Sequence, residues 1–212
     1  TGVQIIAELA DKVASLTVYQ RRPNWCAPLN NAPITPEEQA RIKASYDEIF
    51  QRCAETPGGF LHGPVMKNSD EVSREERLEL WEELYQSPGF GVWLGNYRNV
   101  GFDEAANAEY SEFIANKIRQ RVQDPEVAEK LIPKDHGFGA RRVPMETNYY
   151  EAYNRDNVYL VDVNDTPIEC ITEKGIRTSD QEREFDIIVY ATGFDAITGA
   201  FDRIEFTGMN GE

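Results

Sequence analysis

The chain has 212 residues, 41% of them hydrophobic and 11% aromatic, enough for one large domain or two small ones with a real core. Its 22 Lys and Arg against 37 Asp and Glu give a formal charge of -15, and so acidic a surface repels nucleic-acid backbones and anionic membranes. No apolar run approaches the ~20 residues of a membrane span and no secretory leader is visible, while the scattered cysteines (Cys26, Cys53, Cys170) and the histidines His62 and His136 lack metal-ligand spacing, so a cytoplasmic protein without a metal is expected.

In chain order, Ile5, Ile6, Leu9 and Val13 recur at helical spacing, so a helix is expected from the first turn. It runs into an expected strand, Leu16 to Tyr19, which Pro23 ends. A helix that opens on Thr1-Gly2 and leads straight to a strand reads as the second half of a strand–glycine turn–helix–strand unit, its first strand missing. In dinucleotide-binding units the last glycine of the fingerprint opens the helix, where the pyrophosphate docks on free backbone N–H groups. By itself, Thr-Gly is equally a plain helix start. Gln20-Arg21-Arg22-Pro23 follows at the strand's C-terminal end, the position that faces the adenosine ribose. An acid there suits NAD, whereas arginine suits the 2′-phosphate of NADP. Two arginines without an acid point to NADPH, against the plainer reading of exposed surface arginines.

Residues 26–36 read as a loop, and residues 36–135 as helical. Pro36-Glu37-Glu38 opens a helix with the stripe Ile42, Tyr46, Ile49, Phe50 and Cys53, which Pro57-Gly58-Gly59 breaks. Ser73-Arg74-Glu75-Glu76 predicts a capping box ahead of Leu78, Trp81, Leu84 and Tyr85. A third helix is expected from about Asp103, striped by Tyr110, Phe113, Ile114, Ile118 and Val122, and a short fourth from Asp124-Pro125-Glu126. These stripes are expected to pack a core.

Strand texture returns near Gly137. Gly139-Ala140-Arg141-Arg142-Val143-Pro144 holds a second arginine pair, which calls for phosphate, flavin or carboxylate unless the segment is a solvated turn. Val158 to Asp162 is a short apolar run; Ile168 to Thr172 alternates and turns at Lys174-Gly175 into Ile176 to Thr178, an antiparallel meander. Asp186 to Ala191 is continuously apolar, the mark of a strand buried on both faces, and it ends in Ala191-Thr192-Gly193. The composite is α/β: a Rossmann-like domain from 1–25 and 137–198, its first strand missing, interrupted by an all-helical insert at 26–136.

Asp186-Ile-Ile-Val-Tyr-Ala-Thr-Gly-Phe-Asp195 resembles the Ala-Thr-Gly motif of flavin monooxygenases with two dinucleotide domains. Gln20-Arg21-x-Pro23-Asn24-Trp25, Gly139-Ala140-x-Arg142, Tyr149-Tyr150-Glu151-x-Tyr153-Asn154-Arg155-Asp156-Asn157-Val158 and Pro167-Ile168-Glu169 narrow the likeness. Over essentially its whole length, helical insert included, the chain resembles Baeyer–Villiger monooxygenases of the cyclohexanone, phenylacetone and steroid type.

The resemblance implies an enzyme that uses FAD and NADPH. NADPH reduces the flavin, O₂ adds to it, and the resulting peroxide attacks a ketone, giving an ester or lactone. Thr1, Gly2 and Gln4 match the end of the NADPH fingerprint and the first helical turn. Arg21 matches the arginine that holds the 2′-phosphate. Arg22 stands where Thr is usual, and Arg141 where Lys is usual, as a further 2′-phosphate contact. Arg142 matches the active-site arginine, a permanent cation beside the flavin that stabilises the peroxide anion. Thr192 and Gly193 belong to the hinge strand between the nucleotide domains, and 199–212 begin the return into the FAD-binding domain. The FAD fingerprint is absent, so the remainder of the same polypeptide is an implied partner, together with the ketone and O₂. The chain alone is expected to be inactive, and less stable than its parent or prone to associate. The alternatives are a flavin monooxygenase oxidising nitrogen or sulfur and a non-catalytic NADP-binding module. Arg142 counts against the module, which has no use for an arginine beside a flavin.

Overall fold

The computed structural model describes residues 1–56, 58–195, 198–209 and 211. Contacts group the chain into two compact units, Val3–Pro167 and a smaller one formed by Thr1–Gly2 with Ile168–Glu212. Among the described residues no helix is long and apolar enough to cross a membrane.

In the larger unit, helix α1 (Gly2–Leu9) leads into strand β1 (Leu16–Gln20), and β1 pairs in parallel with β4 (Val158–Asp162). The register runs from Leu16 opposite Val158 to Gln20 opposite Asp162. One side chain joins helix to sheet. Asn157 Nδ2 donates to the carbonyls of Ala10 (3.0 Å) and Val13 (2.9 Å), and the Leu16 N–H donates to the Asn157 carbonyl (2.8 Å). Two carbonyls of the turn that follows the helix are thereby satisfied.

The helical elements are α2 (Pro36–Ala44), α3 (Tyr46–Glu55), α4 (Arg74–Gln86), α5 (Gly91–Leu94), α6 (Glu104–Arg121) and α7 (Pro125–Leu131). The expected stripes of α4, α6 and α7 form the core: Trp81, Tyr110, Ile114, Ile118 and Leu131 are fully buried. The Trp81 ring lies 5.1 Å from that of Tyr110, and its indole N–H donates to Asn96 Oδ1 (2.9 Å). Asp103 and Asp124 cap α6 and α7 as their residue types predict. Asn154 closes the other end of α6: its Nδ2 donates to the Arg121 carbonyl (2.7 Å), and its Oδ1 accepts from the Gln123 N–H (2.8 Å).

Arg121, at the end of α6, ties this core to strand β3 (Met145–Glu146) and helix α8 (Tyr149–Ala152). It reaches Glu146 and Glu151, each at 2.6 Å, lies 3.1 Å from the Tyr85 hydroxyl and sits 5.0 Å above the Tyr150 ring. The Glu146 side chain is fully buried. A buried carboxylate is costly without a counter-charge, and Arg121, its own side chain 20% exposed, supplies one.

Three expectations in this unit need correction. The stretch from Pro36 to Cys53 is two helices, broken at Ser45, whose hydroxyl donates to the carbonyls of Arg41 and Ile42. The stripe on it packs no core: neither α2 nor α3 buries a residue, and Ile42, Tyr46 and Phe50 are exposed. Periodicity records which face of a helix is apolar, not whether anything covers it. Ser73 does cap α4 through the Glu76 N–H, but the reciprocal box forms at Thr35 and Glu38 instead. Pro57 lies outside the described residues. The loop at 26–36 also holds a short strand, β2 (Ala27–Pro28), which pairs in parallel with β3.

The smaller unit is an antiparallel meander of β5 (Ile168–Ile171), β6 (Gly175–Thr178) and β7 (Glu182–Glu184), as the alternation predicts, followed by helix α9 (Thr198–Phe201). Gly175, Ile176 and Thr178 are its buried residues on β6. Residues 186–191 do not form the expected strand. They are without regular structure, and Ile187, Val189 and Tyr190 are exposed. A continuous apolar run becomes a strand buried on both faces only when strands flank it and layers cover it. Among the described residues no strand pairs with it.

Candidate nucleotide site

The two arginine pairs singled out in the sequence sit on segments that the β2–β3 ladder joins. Ala27 pairs with Met145, and the Ala27 N–H donates to the Pro144 carbonyl (3.1 Å). Three residues before the ladder, Asn24 Nδ2 donates to the Arg142 carbonyl (3.0 Å). Arg21 and Arg22 leave the C-terminal end of β1, the end of a parallel pair where open α/β sheets take their ligands. The Arg21 carbonyl accepts from Asn164 Nδ2 (2.6 Å), just past the matching end of β4. All four guanidinium-bearing residues are exposed.

One carboxylate connects the pairs. Asp135 Oδ2 lies 3.2 Å from Arg141 Nη2 and 3.8 Å from Arg22 Nη1. Its other oxygen, Oδ1, lies 2.6 Å from His136 Nδ1, and His136 Nε2 lies 3.2 Å from Asn24 Oδ1. Both ring nitrogens thus face side-chain oxygens. The hydrogen bond from His136, and then the charge of Arg141, hold the Asp135 carboxyl below the usual range against its slight burial. His136 is anchored in turn, since its carbonyl accepts from the Trp25 indole N–H (2.9 Å). Among the described residues, Arg142 has no ion-pair partner.

The turn that carries Arg141 and Arg142 has a specific requirement. Gly139 has φ +83°, a left-handed conformation, and a Cβ there would come within 3.3 Å of the Trp93 indole nitrogen. A groove of about 580 Å³ runs alongside, lined by Trp25, Asn107, Asp135, His136 and Ala140 among others.

Of the other residues expected at the site, Gln4 is exposed on the first turn of α1. Thr1, Gly2, Thr192 and Gly193 belong to the smaller unit, where a Cβ on Gly2 would lie 3.7 Å from that of Ala191. The helix start and the Ala-Thr-Gly segment are therefore neighbours. Gly193 has φ +95°, which explains glycine at that position. Asn24, Asp135 and His136 were not among the expected site residues. The signal in the sequence is the Asp135-His136 pair just ahead of the glycine turn, which lacks metal-ligand spacing and whose bond to Asn24 depends on the fold.

The parallel pair of β1 and β4, fed by helix α1 and with arginines beyond the carboxyl end of β1, is that of an α/β protein. No protein-family model matches the chain. The chain is 50% identical over 210 residues to the 2-oxo-Delta(3)-4,5,5-trimethylcyclopentenylacetyl-CoA monooxygenase of Pseudomonas putida, a match covering 99% of this chain and 38% of that protein. It is 44% identical over 214 residues to the cyclopentanone 1,2-monooxygenase of Comamonas sp. (strain NCIMB 9872), covering all of this chain and 39% of that one. Among solved structures, OTEMO in complex with FAD and NADP superposes on all of this chain and 40% of its own, with a TM-score of 0.94 and 48% identity. The homologues of this chain include Baeyer–Villiger monooxygenases and, at 36% identity, a phenazine N-monooxygenase of Lysobacter antibioticus, and the chain spans about two fifths of the length of the curated relatives it matches.

Proposed function

We propose that this chain is the NADPH-handling part of an FAD- and NADPH-dependent monooxygenase that inserts one oxygen atom of O₂ beside a ketone carbonyl, giving an ester or lactone. NADPH supplies the two electrons that take the second oxygen to water. The observation that carries this reading is the joining of Arg21-Arg22 to Arg141-Arg142 by the β2–β3 ladder, in a chain homologous throughout to ketone monooxygenases.

The donor set fits the dinucleotide. Arg22 and Arg141 already converge on a carboxylate, an arrangement that suits the 2′-phosphate, and Arg21 stands beside them. Thr1, Gly2 and Gln4 are assigned to the pyrophosphate end at the start of α1. Arg142 is assigned the catalytic role. Among the described residues no carboxylate pairs with it, so its charge is available to an anion formed in the reaction. Bound flavin supplies the oxygen-activating chemistry; Thr192 and Gly193 are assigned to the hinge beside it. In domain terms, 1–25 and 137–198 form a Rossmann-like NADPH-binding domain, 26–136 its helical insert, and 199–212 the return into the FAD-binding domain. A ketone, O₂ and the remainder of the polypeptide are the partners. The cytoplasm, where NADPH is supplied and free thiols such as Cys26, Cys53 and Cys170 stay reduced, is the assigned compartment.

The test is product identity. The full-length protein, given FAD, NADPH, O₂ and a panel of ketones, amines and sulfides, yields esters or lactones from ketones. A protein yielding only N-oxides or S-oxides would belong to the alternative class of flavin monooxygenase, and one that binds NADPH but oxidises nothing would be the non-catalytic module.

A further inference from the structure

We propose that Asp135 is a built-in anion that competes with the dinucleotide's 2′-phosphate for Arg22 and Arg141, and thereby sets how strongly this protein prefers NADP to NAD. This rests on the assignment of those arginines to the 2′-phosphate.

The geometry is asymmetric. The two guanidinium groups come from separate segments yet approach the same oxygen, Asp135 Oδ2, at 3.8 and 3.2 Å. The opposite oxygen is held by His136, whose side chain is only 7% exposed and whose far nitrogen faces Asn24. The carboxylate is therefore the fixed member. The arginines, with side chains 64% and 46% exposed, are the members free to swing. A phosphate with a charge near -2 and three acceptor oxygens can take both arginines in two-pronged contacts that a single shared carboxylate oxygen does not offer. Drawing them away costs their pairing with Asp135 and leaves that carboxylate close to the incoming phosphate, a repulsion between like charges. The ribose 2′-hydroxyl of NAD needs neither arginine, so Asp135 opposes only the phosphorylated nucleotide.

The test is equilibrium titration of the full-length, FAD-loaded protein with NADP⁺ and with NAD⁺, comparing wild type with Asp135→Asn. Asparagine keeps an oxygen for His136 and removes the charge from an exposed position. The substitution tightens NADP⁺ binding by on the order of three- to tenfold and leaves NAD⁺ binding unchanged. A cycle closes the argument: with Arg22 and Arg141 both replaced by Ala, Asp135→Asn has no effect on NADP⁺. Unchanged or weaker NADP⁺ binding in the single variant would overturn the proposal, since Asp135 would then be inert or would be organising the arginines. Equal tightening of both nucleotides, or tightening that survives in the Arg22/Arg141 background, overturns it as a general charge effect. A wild type that does not prefer NADP⁺ to NAD⁺ sinks the 2′-phosphate assignment itself, which separates that failure from failure of the inference.

Discussion

Arg142 and Arg121 carry the same charge in opposite surroundings. Arg142 is exposed and has no ion-pair partner among the described residues, with only its backbone carbonyl held, by Asn24. Replacing it with Ala in the full-length protein should lower oxygenation about a hundredfold or more while NADPH still reduces the flavin at nearly the wild-type rate. Rapid-mixing measurement of the two half-reactions checks this; equal loss in both would remove Arg142 from the oxygen step. Arg121 has its charge spent on Glu146, Glu151 and Tyr85. Arg121→Met should cost about 3–5 kcal/mol, because the buried Glu146 is left without its counter-charge. Denaturant unfolding reads that loss, and a change under about 1 kcal/mol would mean that water replaces the guanidinium. The thiols divide in the same manner. Burial pushes Cys26 up to about 12, and it is 2% exposed, whereas Cys170 is exposed. Iodoacetamide at about pH 8 should label Cys170 and spare Cys26 in the folded chain, as peptide mapping would read.

Among elements, those with purely local signals were legible in the sequence. Helix α6 carries Asp103 at its cap and Tyr110, Ile114 and Ile118 at helical spacing, and α7 carries Asp124-Pro125. The meander carries its alternation and its Gly175 turn. What the sequence hid was whatever depends on a distant partner. The stripe on α2 and α3 has the same periodicity as that on α6, yet Phe50 is exposed and Ile114 is buried. The run from Asp186 to Ala191 has the composition of a central strand without neighbours to make it one. In the site, the arginines were legible as residue types placed after a strand and on a glycine turn. The carboxylate that links them was not, because Asp135 meets Arg22 only after the β2–β3 ladder closes. Two substitutions test the distinction between covered and uncovered stripes. Phe50→Ser should change stability by less than about 0.5 kcal/mol, whereas Trp81→Ala should cost about 3–5 kcal/mol. Comparable losses from both would mean that α3 is covered after all.

At the scale of the molecule, the charge of -15 and the four clustered arginines belong together. A chain this acidic repels anions over most of its surface, so a patch of exposed guanidinium groups stands out as the place where one can settle. Away from that patch, Asn157 fixes the end of α1 to the start of β1, and Asn154 fixes the end of α6 to the segment before α7. Because the chain spans about two fifths of its relatives, the whole reaction is a property of the full-length protein. The most direct test is therefore its oxygen balance. The full-length protein is supplied with isotopically labelled O₂, NADPH and a cyclic ketone, and the label is followed by mass spectrometry alongside NADPH consumption. The account predicts one labelled oxygen in each lactone and one lactone for each NADPH oxidised. Label found only in hydrogen peroxide and water, with the ketone returned unchanged, would contradict it.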